Sequence, residues 1–184
     1  MNKFFSTLTL TTGIALSIAL TRITPAQAVT FDFGWNGNGG YSAKGSFSYD
    51  ENTAPAIFAE NNGLGATNIL QSLNVSFFDP RNNLIAAYDN VVDGISTGQY
   101  FKFNFNTTTQ EIFGSIDLGG EVAGDTYLSG TVNTNLSLYQ VPQSGSDLVI
   151  DSSSGFIAIK TVPEPNSILS LVVLSAVGIM FRIK

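Results

Sequence analysis

Trp35, Asn36, Gly37, Asn38, Gly39, Gly40 and Tyr41 set the only tryptophan of the chain beside a flexible polar turn and a tyrosine. Two aromatic rings flanking such a turn could form a platform for a sugar ring, with the Asn36 and Asn38 amides reaching its hydroxyls. The competing reading is a core tryptophan next to a hairpin turn. A second candidate is the run from Asp117 to Asp125, where Asp117, Glu121 and Asp125 alternate with three glycines. Flexible loops rich in oxygen ligands can wrap Ca²⁺. The spacing is not that of an EF-hand loop, so a Gly-rich connection kept soluble by its charges is the preferred reading, and no metal or other cofactor is expected.

Glu60, Glu111 and Glu121 raise glycoside hydrolysis, which needs two carboxylates facing each other about 5–10 Å apart. Nothing in the sequence places any two of them across a cleft. The chain has neither histidine nor cysteine. That removes Ser–His–Asp and Cys–His catalysis, thiolate metal sites and His-bearing zinc sites. No enzyme is expected. Between Val29 and Thr161, thirteen acidic residues face only Lys44, Arg81, Lys102 and Lys160, a formal charge of −9. Such a surface repels phosphate backbones, which argues against nucleic acid as a partner.

The elements that must carry these residues alternate with a period of two. Val29, Phe31 and Phe33 alternate with polar residues, as do Tyr41, Ala43, Phe47 and Tyr49. The Asn/Gly turn between the two sets predicts a hairpin. Leu73 to Phe77 and Leu84 to Val92 predict a second, around Asp79-Pro80-Arg81-Asn82-Asn83. Phe101, Phe103 and Phe105 predict a strand answered by Ile112 to Leu118. Leu128, Val132, Leu136 and Leu138 predict one long strand, and Leu148–Ile150 with Phe156–Ile159 a final pair. Ala56 to Glu60 could make a single helical turn. The expectation is an all-β antiparallel β-sandwich or flattened barrel of about nine or ten strands.

The two ends read differently. Residues 1–28 look like a signal peptide: Lys3, an apolar helix from Leu8 to Leu20, and Ala26-Gln27-Ala28 as the small-x-small cleavage pattern. Residues 29–161 are then one extracellular domain, and residues 162–184 a separate tail. The tail opens with Val162, Pro163, Glu164 and Pro165. It continues as an apolar helix of 14 residues, 168–181, and ends with the basic residues Arg182 and Lys184. At about 1.5 Å per residue such a helix spans roughly 21 Å, short of a hydrocarbon core of about 30 Å, so a weak or transient anchor is expected. Lys3, Arg182 and Lys184 all favour the cytoplasmic side and leave the domain outside.

This tail resembles the PEP-CTERM sorting signal of exported bacterial proteins, and the domain resembles those joined to such signals in cyanobacteria. The resemblance covers about the last 23 residues. The family ends in a dense arginine cluster where this chain has Arg182 and Lys184. The resemblance implies an exosortase-type processing protease as partner, with scission near Pro-Glu-Pro and delivery to the cell surface or beyond. It also implies an association with extracellular polysaccharide or biofilm. The expected function is therefore a non-catalytic, exported cell-surface or matrix protein. The alternatives are a carbohydrate-binding module using Trp35, Asn36, Asn38 and Tyr41, and a carboxylate glycosidase.

Overall fold

The computed structural model describes residues 28–163. Ala26, both expected terminal helices, Glu164, Pro165, Arg182 and Lys184 lie outside the described residues. The described chain is all β, with every strand pair antiparallel. No helix there is long and apolar enough to cross a membrane.

In chain order the strands are β1 (Ala28–Asn36), β2 (Ser42–Asp50), β3 (Ile57–Glu60), β4 (Gly65–Ala66), β5 (Leu70–Phe78), β6 (Leu84–Val92) and β7 (Ile95–Ser96). They continue as β8 (Phe103–Asn106), β9 (Glu111–Ile112), β10 (Ser115–Gly119), β11 (Thr126–Thr131), β12 (Asn135–Gln140), β13 (Leu148–Ser153) and β14 (Ile157–Val162). One sheet has the order β14-β1-β2-β5-β6-β7-β4, a second β10-β11-β12-β13, and a third β3-β8-β9.

The largest sheet follows from alternation. Its register sets Phe31 against Phe47 and Leu73, Phe33 against Gly45 and Val75, and Trp35 against Ala43 and Phe77. Because side chains alternate faces, all of these point to one side, where apolar area leaves water. Small residues face large ones across the strands. At Gly45 a Cβ would run into the Phe33 ring and the Asn74 carbonyl oxygen, so only glycine leaves that ring its place. Phe47 lies at the centre, with ring centroids 5.4 Å from Phe31, 4.8 Å from Phe103 and 4.9 Å from Phe105. Ile116, Leu118, Leu128, Leu136 and Leu138 of the second sheet close the same core. The opposite face of β2 and β5 is polar, with the Ser48 and Ser72 hydroxyls 2.6 Å apart.

Five expectations need correction, the first being the strand count: fourteen strands form among the described residues where about nine or ten were expected, because several expected segments break at turns into short pieces. The long strand over Leu128–Leu138 is a hairpin, β11 and β12, turning at Asn133 with φ 60°. The final two strands do not pair with each other: β13 joins β12, and β14 crosses to β1. Ile57–Glu60 is strand β3 rather than a helical turn. The segment from Ile112 to Leu118 is broken at Gly114, φ 65°, so that β9 and β10 enter different sheets.

Asp151 of β13 clasps the first hairpin. Its carboxylate accepts the Gly39 N–H at 2.8 and 3.0 Å, the Tyr41 N–H at 3.1 Å and the Ser152 N–H at 2.7 Å. The residue is 8% exposed, so its carboxylate has little water to take the place of those donors. Hydrogen bonds to a charged acceptor are the strong ones, and orphaned donors are costly. Asp151→Ala should lower unfolding stability by about 2–4 kcal/mol. The check is a urea titration whose midpoint falls while its slope is unchanged.

Candidate functional site: an acidic, tyrosine-lined cleft

β10 and β11 pair with Asp117 opposite Ser129 and Gly119 opposite Tyr127. Their inward residues, Ile116, Leu118 and Leu128, are buried in the core. The alternate residues Asp117 and Tyr127 therefore share the outer face. Around them Tyr100, Gly120, Glu121, Val141 and Asp147 complete a cleft of about 400 Å³. Tyr100 is 62% exposed.

Each acid in the cleft is held differently. Glu121 accepts the Gln99 N–H at 2.9 Å and the Tyr100 N–H at 2.7 Å, so it fixes the loop that carries Tyr100. Asp147 accepts the Tyr127 hydroxyl at 2.6 Å. The Tyr127 ring stacks on Tyr139 with centroids 4.9 Å apart and 12° between planes. Asp117 accepts only the Ser129 hydroxyl, at 2.8 Å. Burial pushes its carboxyl up to about 6 against the pull of the Ser129 bond, and the nearby charges of Glu121 and Asp147 add to the rise. Burial and the hydrogen bond to Asp147 likewise raise the Tyr127 hydroxyl above its ordinary value. The cleft thus offers a carboxyl that takes up a proton in mildly acidic solution, fixed carboxylates beside it, and an exposed ring on the rim.

The structure separates the residues that the sequence grouped. Asp117 and Glu121 reach the cleft, but Asp125 turns back to accept the Val122 N–H at 2.9 Å. Among the described residues no three acidic side chains gather into a metal-binding group. Trp35 is 1% exposed and its indole N–H donates to the Ser153 hydroxyl at 2.7 Å. It is a core residue, so the expected sugar platform of Trp35, Asn36, Asn38 and Tyr41 loses its stacking surface. Asn36 and Asn38 remain exposed on the turn, and Tyr41 is half-buried. Glu60 is buried, its carboxylate accepting the N–H groups of Asn68, Ile69 and Leu70. Glu111 is exposed and accepts the Thr109 hydroxyl.

Tyr100, Tyr127 and Asp147 were not singled out by sequence. The three come from two loops and a strand, and only the sheet register and loop closure unite them. Comparison of the chain with family models, with curated proteins and with solved structures found no match.

A carboxyl whose folded-state value is raised binds its proton more tightly in the folded than in the unfolded chain. The contribution of Asp117 to stability is then full below about pH 4 and is lost as pH rises through 6. Asp117→Asn removes that loss. The variant should be more stable than the parent by about 1–2 kcal/mol at pH 7.5, a figure discounted for the open side of the cleft. The advantage should vanish near pH 4, as read from thermal midpoints across that range.

Proposed function

We propose that this chain is an exported, non-catalytic cell-surface or extracellular-matrix protein whose domain is a β-sandwich. On this reading a signal peptide delivers it, and its PEP-CTERM-like tail passes it to an exosortase-type protease after transient or weak anchoring. The supporting observation is the pairing of the first strand with the last. Thr30 lies opposite Val162, so the chain enters and leaves the domain side by side at one end of the largest sheet. A domain with both membrane-addressed segments at one end can hang from a bilayer without threading its own sheet. Five residues, Pro163–Ser167, separate β14 from the apolar run, and they span at most about 18 Å. Association with extracellular polysaccharide follows from the family resemblance of the tail.

Intact-mass analysis of protein recovered from its host, membranes and medium separately, tests this. The expected species begins at Val29 and ends near Pro163–Pro165. A protein that keeps Met1 to Ala28, or that keeps Lys184 wherever it is found, overturns it.

The cleft favours carbohydrate binding as a second reading, moved from Trp35 to Tyr100. An exposed ring on the rim can stack on a sugar, and carboxylates below can accept its hydroxyls. On this reading Tyr100→Ala, at an exposed site that spares the core, should weaken retention by a neutral polysaccharide gel at least about tenfold. Equal mobility of variant and parent in affinity electrophoresis would remove the cleft as the binding site. The glycosidase reading has only the shared cleft in its favour, since the backbone already engages both oxygens of Glu121.

A further inference from the structure

We propose that Asn62 is a site of spontaneous modification: in the folded domain it loses its side-chain amide by ring closure on the Gly63 nitrogen, while the other two Asn-Gly pairs, Asn36-Gly37 and Asn38-Gly39, are held shut. The proposal is independent of how the two ends of the chain are read. In the first step the Gly63 nitrogen adds to the Asn62 Cγ and a C–N bond forms. The side-chain nitrogen leaves as ammonia, taking the proton that Gly63 gave up. Water then adds to either carbonyl carbon of the five-membered imide and breaks one of its C–N bonds. The product is aspartate, or isoaspartate in which the main chain runs through the side-chain carbon. No oxidant, reductant or enzyme is needed.

All three pairs share the same local chemistry. Glycine carries no Cβ to crowd the attacking nitrogen, so sequence alone ranks them alike and puts two of them in one turn. The structure ranks them differently. The attacking nitrogen must give up its proton and swing toward the side chain, and a hydrogen bond from it opposes both. The Gly37 N–H is given to the Tyr41 carbonyl at 2.9 Å, and Asn36 is paired with Ser42 in the ladder. The Gly39 N–H is given to the two oxygens of Asp151 at 2.8 and 3.0 Å, and a bond to a charged acceptor is a strong one. The Asn38 N–H in turn donates to the Ser152 carbonyl at 2.9 Å. Even Asp93-Gly94, whose carboxyl could close the same ring, gives its Gly94 N–H to the Gln71 carbonyl at 2.9 Å.

The loop between β3 and β4 is built the other way. Among the described residues the Gly63 N–H has no acceptor. Asn62 is exposed, and neither residue belongs to a strand. The loop is nonetheless pinned on both sides of the open pair: the Asn61 amide donates to the Asn104 side chain, and Glu60 holds Asn68, Ile69 and Leu70. Gly63, at φ 68°, lies against the Gln99 carbonyl, where a Cβ would have no room. Gln99 gives its N–H to Glu121 in the loop that carries Tyr100. Modification therefore puts a new carboxylate, and in isoaspartate one extra main-chain carbon, next to the rim of the acidic cleft.

The experiment ages the full chain in detergent micelles in mildly alkaline buffer and follows each pair by peptide mapping, with aspartate and isoaspartate scored by mass spectrometry. The same chain in concentrated urea, where no hydrogen bond protects any pair, gives the intrinsic rates. In the folded chain Asn62 should convert at least about tenfold faster than Asn36 or Asn38, because those must wait for local opening. In urea the three rates should converge. Asn62→Gln, which could close only a larger and slower ring, should remove the early release of ammonia from the folded chain. Asn36 or Asn38 converting as fast as Asn62 in the folded chain overturns the proposal. So does a lead of Asn62 that persists unchanged in urea, since sequence and not the fold would then set it, or early ammonia that survives Asn62→Gln.

Discussion

A domain without cysteine must hold its connections by something other than a disulfide, and here carboxylates that accept backbone N–H groups do it. Asp151 holds the β1–β2 turn, Glu60 the approach to β5, Glu121 the loop before β8 and Asp79 the β5–β6 turn. Each bridges a side chain to main-chain donors that would otherwise need water or a strand partner. The ionised acceptor roughly doubles the strength of a neutral bond. At the exposed Asp79 these bonds lower the carboxyl below its ordinary range, the Asn83 side chain contributing most. Clasps of this kind leave no gap in the polar accounting: no buried side-chain nitrogen or oxygen among the described residues lacks a partner.

The same constraint sorts the acids. Counting carboxylates in the sequence overstates how many are free to do chemistry, because a clasping carboxylate is held by backbone donors and cannot move without opening its loop. Glu60 and Glu121 are of this type. Asp117 is not: one hydroxyl and a partly desolvated wall are all it has, so its affinity for a proton rises. That difference makes the Tyr100–Tyr127 cleft the place where a ligand could change the electrostatics of the domain, whereas the Asp125 turn and the Glu60 loop are closed by their own backbone.

How much was legible follows from which forces are local. The β1–β2 and β5–β6 hairpins could be read directly, since alternation and turn residues lie within one short window. The β11–β12 turn could not. It uses Asn133 in the left-handed region in place of a glycine, and a non-glycine residue there leaves a weak signal in sequence. The partners of β13 and β14 are set by which sheet edge is open when the rest of the core has closed, and no local pattern records that. Trp35 misled for a similar reason. A tryptophan beside an Asn/Gly turn suits either a ligand platform or a core, and the decision falls to Ala43, which faces it across the ladder and leaves its bulk room, and to Ser153, which takes its N–H. The cleft was half legible. Asp117 and Glu121 stood out as acids in a Gly-rich loop, while Tyr127 is brought to them by the β10–β11 register and Asp147 by the loop before β13.

The end of the domain where the chain enters and leaves is also electrostatically one-sided. Glu51 lines a cleft there, Asp50 stands opposite Ala28, and Glu111 follows Gln110; among the described residues no basic residue lines that cleft, and the nearest base along β14, Lys160, is set against Asp32. Lys44 and Arg81 sit toward the opposite end, with the Lys44 ammonium over the Phe78 ring and bonded to Asn82. On the proposed reading this acidic end faces the membrane across a connector of at most about 18 Å. Anionic headgroups repel acidic loops within a Debye length of about 8 Å. The repulsion is weak at that range, but it acts in one direction: it disfavours the sheet lying down on the bilayer. Charge would then hold this end of the sheet clear of the lipid, the orientation that the side-by-side entry and exit of the chain at Thr30 and Val162 already favour.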